Sequence, residues 1–200
     1  HKVYELTDGK VKYLCVDVAN GYTEMFSDFI YQIRLNHPEL IIVAGNVVTG
    51  DMTSELILNG ADVINIAGNT GGTGAAQVTS LKYSGRVAEL GISEVHQALS
   101  ENGIRDKVVL RCSGAHQTGV DVVKSAILGG DSFEFGTTAL MMLKCVIAKL
   151  CNVKCPAGLT TNEELYDGDS RALAQYFINL GHEVREILAS IGYKSLQEVR

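Results

Sequence analysis

The sequence predicts an α/β fold of parallel βα repeats, and three observations predict it. Short runs of aliphatic and β-branched residues alternate with longer segments that carry apolar residues at helical spacing. The alternation gives five strand-like runs, and a polar or glycine-rich turn follows each of them. Because a helix separates each strand from the next, the connections are right-handed crossovers, and the strands form a parallel sheet with both faces covered.

Five runs are predicted as strands because each is rich in residues of high β propensity and ends at a turn signal. In chain order they span residues 11–18, 40–44, 62–66, 107–111 and 133–136. Four helices are predicted between them, at residues 24–36, 51–59, 92–101 and 120–128. Pro38 stops the first helix, and Gly60 and Gly129 stop the second and the fourth, since glycine readily terminates a helix.

Composition and charge exclude several classes of protein. The chain has 200 residues, of which 46% are hydrophobic and 20% are charged, enough for one domain with a substantial core. We expect that domain to span residues 1–200, with residues 156–200 as a C-terminal helical extension within it. A net charge of −6 without a dense Lys/Arg segment argues against nucleic acid as a partner, and no apolar run approaches the roughly 20 residues of a membrane span. Five irregularly spaced cysteines favour a reducing compartment, so we expect a cytoplasmic protein.

The most distinctive loop follows the third predicted strand and reads GNTGGTGAA over residues 68–76. Loops at the carboxyl ends of parallel strands carry the functional groups of such sheets. Glycines there let backbone N–H groups approach a ligand closely, and threonine hydroxyls add donors. The spacing matches neither the dinucleotide-binding motif nor the Walker P-loop, and ordinary turn chemistry is an alternative. We interpret the loop as an anion-binding site formed by Gly71, Gly72, Thr73 and Gly74.

A second candidate site lies at the ends of the last two predicted strands. Barrels of parallel βα repeats hold phosphate groups at this point, against the start of a helix. Small and hydroxyl-bearing residues suit this because they leave backbone N–H groups accessible. We expect a phosphate-bearing ligand at Ser113, Gly114, Gly136, Thr137 and Thr138.

Two resemblances divide the chain. From Val11 to about Ile64, the segments VKYLCVDVANGYTEMF and IIVAGNVVTGDMTSELILNGADVI resemble GMP reductase and its relative IMP dehydrogenase. From about Gly68 to Arg200, GGTGAAQVTS, SGAHQTGVDVVKSAILGGD, FGTTAL and HEVREILASIGYKSLQEV are similar to the FMN-binding synthase domain of glutamate synthase. Both families are phosphate-binding (βα)8 barrels of the TIM-barrel type. The resemblance therefore implies a partial barrel, whose strands match the fourth to the eighth.

The implied absence of the first three βα units has three explanations, and the sequence leaves them open. The chain is a natural fragment, a half-barrel that another chain completes, or an artificial recombination of two barrels. Since an open sheet has unpaired edges, we expect one edge to be covered by the C-terminal helices or by a second copy of the chain. The expected macromolecular partners are therefore a homo-oligomer or a complementing barrel segment.

The glutamate synthase resemblance implies an FMN-dependent oxidoreductase module of glutamate biosynthesis. In that family reduced flavin forms L-glutamate from 2-oxoglutarate and ammonia, and an iron–sulfur cluster delivers the electrons. The residues expected to hold phosphate would then bind FMN. Lys82, which follows the glycine-rich loop, matches a lysine near the 2-oxoglutarate site, and a solvated surface lysine is the alternative. Ala115 and Gln117 depart from the family pattern, which has glycine and a basic residue there.

The resemblance also implies a function for the segment CVIAKLCNVKCPAGLTT, residues 145–161. In the family, three cysteines here bind a three-iron, four-sulfur (3Fe-4S) cluster, and Cys145, Cys151 and Cys155 occupy the matching stretch. The alternative is that Cys145 packs on the apolar face of a helix. The three residues between Cys151 and Cys155 are also one fewer than the family spacing. Cluster binding requires the helix to end near Leu150, so that the three sulfur atoms converge.

Two other functions are alternatives. Asp17 and Asn46 match ligand-contacting loops of GMP reductase, which would make the chain a purine nucleotide oxidoreductase. That chemistry uses a cysteine after the sixth barrel strand, and the chain has no cysteine between Cys15 and Cys112. The other alternative is a folded module without enzymatic activity that binds at most a phosphate.

Overall fold

The computed structural model describes residues 10–69 and 77–200. Five strands in this part of the chain correspond to the five predicted runs. They are β1 (Tyr13–Asp17), β2 (Ile41–Val47), β3 (Val63–Ala67), β4 (Val109–Ser113) and β5 (Ser132–Glu134). Their order in the sheet is β1-β2-β3-β4-β5, and every neighbouring pair is parallel. The predicted α/β fold of parallel βα repeats, a partial sheet of the TIM-barrel type, is confirmed.

The helices lie between the strands and after the last strand. They are α1 (Glu24–Asn36), α2 (Gly50–Leu58), α3 (Val78–Tyr83), α4 (Ala88–Glu101), α5 (Gly119–Ile127), α6 (Thr137–Met142) and α7 (Ser170–Ser190). All four predicted helices are present, although α4 begins at Ala88 rather than at residue 92. A capping box between Thr118 and Asp121 fixes the start of α5. The long helix α7 lies within the segment predicted as a helical extension.

One face of the sheet packs against the helices and forms the core. Alternate residues of the central strands point to this side and are fully buried, among them Ile42, Ile64 and Leu110. Ile30 of α1 and Ile92 of α4 belong to the same cluster and are also fully buried. Burial of each such side chain stabilises the fold by about 1.5–3 kcal/mol. This apolar layer holds the strands in register and thereby sets the positions of the residues at their ends.

The opposite face of the sheet, called the open face below, carries Cys15, Asp17, Asn65, Arg111 and Glu134. On the edge strand β1, every second residue is exposed, which places Cys15 and Asp17 at the surface. The expectation that both faces are covered is therefore wrong for the described residues. In a closed barrel this face is covered by the strands on the far side of the barrel, and the described sheet has no strands there.

The edges of the sheet are β1 and β5, each of which pairs with a single strand among the described residues. The C-terminal helix α7 packs on α5 and α6, and its Tyr176 and Phe177 contact the ring of Phe135 just beyond β5. This contact covers the end of β5 but not the edge of β1. Cover of the edges by a second copy of the chain stays a prediction.

Candidate functional site

The loops after β4 and β5 hold the residues predicted to bind phosphate. Ser113 is the last residue of β4, and its register partner in β5 is Glu134, two residues before Gly136. Thr138 is buried, and its hydroxyl donates to the carbonyl oxygen of His116 at 2.9 Å. The structure therefore brings the two predicted loops together at the carboxyl edge of the sheet.

His116 fastens these loops to each other. Its Nδ1 lies 3.3 Å from the carbonyl oxygen of Glu134, and its Nε2 lies 3.0 Å from the hydroxyl of Ser125 in α5. Burial lowers the pKa of His116 below its ordinary value, so the neutral ring predominates at pH 7. We therefore interpret His116 as a structural residue that ties the loop after β4 to β5 and α5.

The glycines of the site have different surroundings. A Cβ added to Gly114 would lie 2.6 Å from the Cβ of Ala88, so glycine is needed there for packing against α4. A Cβ added to Gly136 would meet nothing within 4 Å, so this residue borders open space that a ligand can enter. Ala115 has a φ of 60°, in the left-handed region that favours glycine. Its departure from the family pattern thus falls at a strained position.

The cysteine-rich segment adjoins this site. Cys145, Cys151 and Cys155 line one cavity of about 130 Å³, and Thr137 at the start of α6 lines it as well. The helix α6 ends three residues before Cys145. The expectation of a helix end near Leu150 is therefore wrong, and so is the alternative that Cys145 packs on a helix face.

The backbone between these cysteines turns repeatedly instead of continuing the helix. Lys144, Ile147 and Lys149 have φ values of 67°, 52° and 58°. Left-handed backbone costs an L-residue roughly 1–2 kcal/mol, so this conformation is not the intrinsic preference of these residues. The turns carry the chain around the cavity, and Cys145 and Cys151 are both among the residues that line it.

Cys155 has the most perturbed thiol of the three. Hydrogen bonding from the backbone of Thr160 lowers the pKa of Cys155 to about 7, and the backbone of Ala157 acts in the same direction. A substantial thiolate fraction therefore exists at neutral pH, and thiolate is the form that binds metals. Cys151 is exposed and Cys145 is half-buried. Within residues 10–69 and 77–200, no three His, Cys, Asp or Glu side chains form a ready metal site.

The predicted substrate site is only partly described. Gly71, Gly72, Thr73 and Gly74 lie outside the described residues. Lys82 is exposed on α3, which the side-chain amide of Asn69 anchors by donating to the carbonyl oxygen of Leu81 at 2.9 Å. A cavity of about 400 Å³ opens beside α3 and is lined by Asn46, Asn69 and Ser80, among others. Lys82 does not line this cavity, and its part in substrate binding stays a prediction.

A row of polar side chains crosses the open face, and no local sequence pattern predicts it as a unit. Arg111 Nε donates to Asn65 Oδ1 at 3.3 Å, and Asn65 Nδ2 donates to Asn46 Oδ1. Asn46 Nδ2 in turn donates to Asp17 Oδ1 at 3.0 Å. At the other end, Arg111 Nη2 lies 3.5 Å from Glu134 Oε1. We call these five residues the polar row.

The comparison with known families adds to this geometry. The family described as a conserved region in glutamate synthase matches residues 23–194 of the chain. The chain belongs to the glutamate synthase family. The ferredoxin-dependent glutamate synthase of Pyropia yezoensis is 42% identical over 184 residues, which is 88% of this chain and 12% of that protein. Ferredoxin-dependent glutamate synthase 1 of Arabidopsis thaliana is 38% identical over 175 residues, 85% of this chain and 11% of the relative.

A bacterial relative gives the same result. The large chain of the NADPH glutamate synthase of Bacillus subtilis (strain 168) is 44% identical over 144 residues, 70% of this chain and 10% of that protein. The chain thus spans about a tenth of the length of these glutamate synthases.

The family match corrects the division of the chain between two families. It begins at residue 23 and so includes most of the segment 11–64, which resembled GMP reductase. The purine nucleotide alternative is accordingly not supported.

No helix in the described ranges is both long and apolar enough to cross a membrane.

Proposed function

We propose that this chain is the FMN- and cluster-binding module of a glutamate synthase, which forms L-glutamate reductively from 2-oxoglutarate and ammonia. One observation carries the proposal. Thr137, in the loop predicted to hold phosphate, lines the same cavity as Cys145, Cys151 and Cys155. A cluster that passes electrons to a flavin has to lie close to it, and this adjacency supports such an arrangement.

The surroundings of Gly136 support binding of the FMN phosphate. The space beside Gly136 is open, and Thr137 follows it with a half-buried side chain. Thr138 is different, because its hydroxyl already donates to the carbonyl oxygen of His116. We therefore assign the phosphate contacts to Ser113, Gly114, Gly136 and Thr137, with Thr138 in a supporting position. FMN, when bound, supplies the hydride chemistry.

The chemistry of the cysteines around the cavity suits a 3Fe-4S cluster, although the three thiols of the described structure do not form a ready metal site. All three cysteines line one cavity, and the lowered pKa of Cys155 favours the thiolate that iron requires. Metal binding is coupled to local folding, so ligands that are apart can come together when the metal binds. We propose that Cys155 is the first ligand and that Cys145 and Cys151 close on the cluster when it assembles.

The proposed substrate, 2-oxoglutarate, is a dianion, and the chain carries cations at the carboxyl edge and on the open face. We propose that Lys82 and the loop with Gly71, Gly72, Thr73 and Gly74 bind one carboxylate. The named relatives are ferredoxin-dependent or NADPH enzymes, so we propose ferredoxin or NADPH as the electron source. A cytoplasmic location stays a prediction, because the name of the Arabidopsis relative includes chloroplasts and mitochondria.

Anaerobic reconstitution of the full chain with Fe²⁺, sulfide and FMN tests the proposal. After removal of unbound reagents, the iron, sulfide and flavin contents are measured together with the visible spectrum. We expect the wild-type chain to hold both groups, Cys155→Ser to lose most of its iron but keep FMN, and Gly136→Val to lose FMN because its side chain fills the open space. Cys15→Ser is the matched control, since Cys15 is an exposed cysteine outside the cavity.

Two results would contradict the proposal. Near-zero iron in both the wild-type chain and Cys155→Ser would mean that the cysteines are packing residues. If millimolar FMN left the melting temperature unchanged, flavin binding would fail too, since a ligand of the native state must raise it. The folded module without enzymatic activity would then be the better description.

A further inference from the structure

Gly45 leaves space for Asn65, the residue at the centre of the polar row. Gly45 lies beside Asn65 in the ladder between β2 and β3. A Cβ at position 45 would lie 2.6 Å from the carbonyl oxygen of Asn65 and 2.7 Å from its Cβ, so a side chain there would displace Asn65. The pairing is irregular just after Gly45, and there Asn46 reaches the amide of Asn65. Asn65 is as a result only 2% exposed, although it belongs to the open face.

Asp17 sets the direction of the hydrogen bonds along the row. A carboxylate only accepts, so Asn46 must turn its NH₂ group toward Asp17 and its oxygen toward Asn65. Asn65 must then donate to Asn46 and present its own oxygen to Arg111. All these bonds run in one direction, from β4 to β1. A carboxylate on the edge strand thereby determines which atom meets the guanidinium.

The terminal nitrogens of Arg111 make longer contacts than its Nε does. Its Nη2 lies 3.5 Å from Glu134 Oε1 and 3.7 Å from Cys15 Sγ, and the contact to Glu134 is longer than a direct charge-assisted hydrogen bond. Its Nη1 has no hydrogen-bond partner among the described residues. The side chain keeps 26% of its surface exposed. Arg111 is thus held at Nε, while its terminal nitrogens remain accessible from the open side.

We propose that Asn65 is a positioning residue, which holds the guanidinium of Arg111 so that its terminal nitrogens bind a carboxylate of the substrate. A planar guanidinium binds a carboxylate through two parallel bonds, which requires its plane to be fixed. The carboxylate replaces the loose contact with Glu134. The identity of that carboxylate, a group of 2-oxoglutarate, rests on the proposed function. Asn65 itself touches no substrate and acts through Arg111.

The orientation of Arg111 can be tested without substrate. NMR exchange measurements on ¹⁵N-labelled protein report how strongly the Arg111 Nε–H is protected from water, and Arg111→Lys assigns the signal. We expect Asn65→Leu to speed its exchange by about tenfold, the equivalent of one hydrogen bond to a charged group. Asp17→Asn should act in the same direction, and it keeps the shape of the residue should Asn65→Leu fail to fold. Asn36→Leu, at an exposed asparagine of α1, is the matched control and should change nothing.

Calorimetric titration of the full chain with 2-oxoglutarate tests the link to substrate. Asn65→Leu should weaken binding by about tenfold without changing the affinity for FMN. In an Arg111→Met background the same substitution should have no further effect, because it acts only through the guanidinium. Additive losses in the double variant would mean a general structural effect and would overturn the proposal.

The remaining outcomes separate the two proposals. Unchanged Nε–H exchange in both Asn65→Leu and Asp17→Asn overturns the positioning of Arg111, whatever the chain binds. If the exchange changes as expected but the wild-type chain does not bind 2-oxoglutarate, the substrate of the proposed function fails, and the carboxylate assignment fails with it. If the wild-type chain binds 2-oxoglutarate and Asn65→Leu binds it equally well, only the positioning proposal is overturned.

Discussion

Two clamps of the same design hold neighbouring parts of the sheet, one around Arg34 and one around Arg105. Arg34 donates to the carbonyl oxygen of Gly60 at 2.7 Å and pairs with Asp62 at 2.6 Å. Asp62 also accepts the backbone N–H of Ile42 at 2.8 Å. The clamp therefore joins the end of α1, the start of β2 and the turn that precedes β3.

The second clamp repeats each of these contacts. Arg105 donates to the carbonyl oxygen of Gly129 at 2.6 Å and pairs with Asp131 at 2.8 Å. Asp131 accepts the backbone N–H of Leu110 at 2.8 Å. The repetition shows that the clamp follows from the geometry of the βα unit, since each time a glycine ends the helix two residues before the aspartate.

The clamps differ in burial. The side chains of Arg34 and Asp62 are 23% and 47% exposed, whereas those of Arg105 and Asp131 are 6% and 18% exposed. In the second clamp, Arg105 also donates to Nδ1 of His96 at 3.0 Å. Water can replace the partners of an exposed charge but not those of a buried one. The same contacts should therefore contribute more to the free energy of unfolding in the second clamp.

The largest expected effect comes from removing each arginine. Arg105→Met should lower the free energy of unfolding by about 3–5 kcal/mol, because the buried carbonyl oxygens of Val108 and Gly129 lose their donor and Asp131 keeps only its pairing with Arg200. Arg34→Met should lower it by about 1–3 kcal/mol, since water reaches the groups left behind. Urea denaturation measures both, with Arg171→Met at an exposed position of α7 as the control. Equal losses at Arg34 and Arg105 would contradict the importance of burial.

A smaller effect is expected from the glycines that the arginines bind. Gly60 and Gly129 have φ values of 101° and 116°, so alanine at either position is strained. Gly103→Ala is the matched control, because φ is 65° there and an added Cβ meets nothing within 4 Å, which isolates a backbone cost of roughly 1–2 kcal/mol.

Alanine at position 129 also collides with the ring of His96, whereas alanine at position 60 meets the flexible stem of Arg34. Thermal unfolding should therefore rank the losses as Gly129→Ala, then Gly60→Ala, then Gly103→Ala. A Gly60→Ala variant less stable than Gly129→Ala would show that the first clamp is the more rigid one.

The smallest effect concerns pH. Burial, followed by the charge of Arg105, lowers the pKa of His96 in the folded protein. In the unfolded chain His96 takes up a proton near the ordinary histidine pKa of about 6.5, whereas in the folded chain it takes up the proton only at a lower pH. This contribution to stability is complete above the ordinary pKa and is lost as the pH falls from there through the lower pKa of the folded protein. We expect the unfolding free energy to decline on acidification from pH 7 to pH 5.5.

The charge of Arg105 offers a direct check of that cause. An NMR titration of His96 in Arg105→Met should give a higher pKa than in the wild-type chain, because one of the lowering charges is gone. Arg171→Met again serves as the control. A pKa that does not move, or that falls, would mean that Arg105 does not contribute to the shift.

The sequence predicted the succession of elements because each signal is local. Helix ends at Gly60 and Gly129 and the apolar runs of the strands can be read from neighbouring residues alone. The fourth strand, predicted at 107–111, lies at Val109–Ser113, because Arg105–Lys107 forms a short 3₁₀ turn. Arg105 reaches the carbonyl oxygen of Gly129 from this turn, a tertiary contact that no local pattern contains.

The candidate site was predicted unevenly for the same reason. The loops predicted to bind phosphate directly follow strands, so their meeting at the carboxyl edge could be predicted, whereas the three cysteines were identified through the resemblance; binding by either group stays a prediction. The end of α6 was misjudged because residues 143–150 are largely apolar, as in a helix, whereas the left-handed backbone of Lys144 ends the helix and that of Ile147 keeps it from resuming. The polar row was missed because its partners depend on strand register. Asp17, Asn65 and Arg111 were visible only as isolated polar residues in apolar strands.

The lack of a side chain at Gly45 limits how this sequence can vary. A Cβ there would lie 2.6 Å from the backbone carbonyl oxygen of Asn65, which every residue at position 65 carries, so a smaller residue at 65 does not make room for a larger one at 45. A library randomised at both sites should therefore yield folded variants that keep glycine at 45 and vary only at 65. In variants without Asn65, Arg111 would be free to rotate, so such proteins would fold but would select their ligand less well.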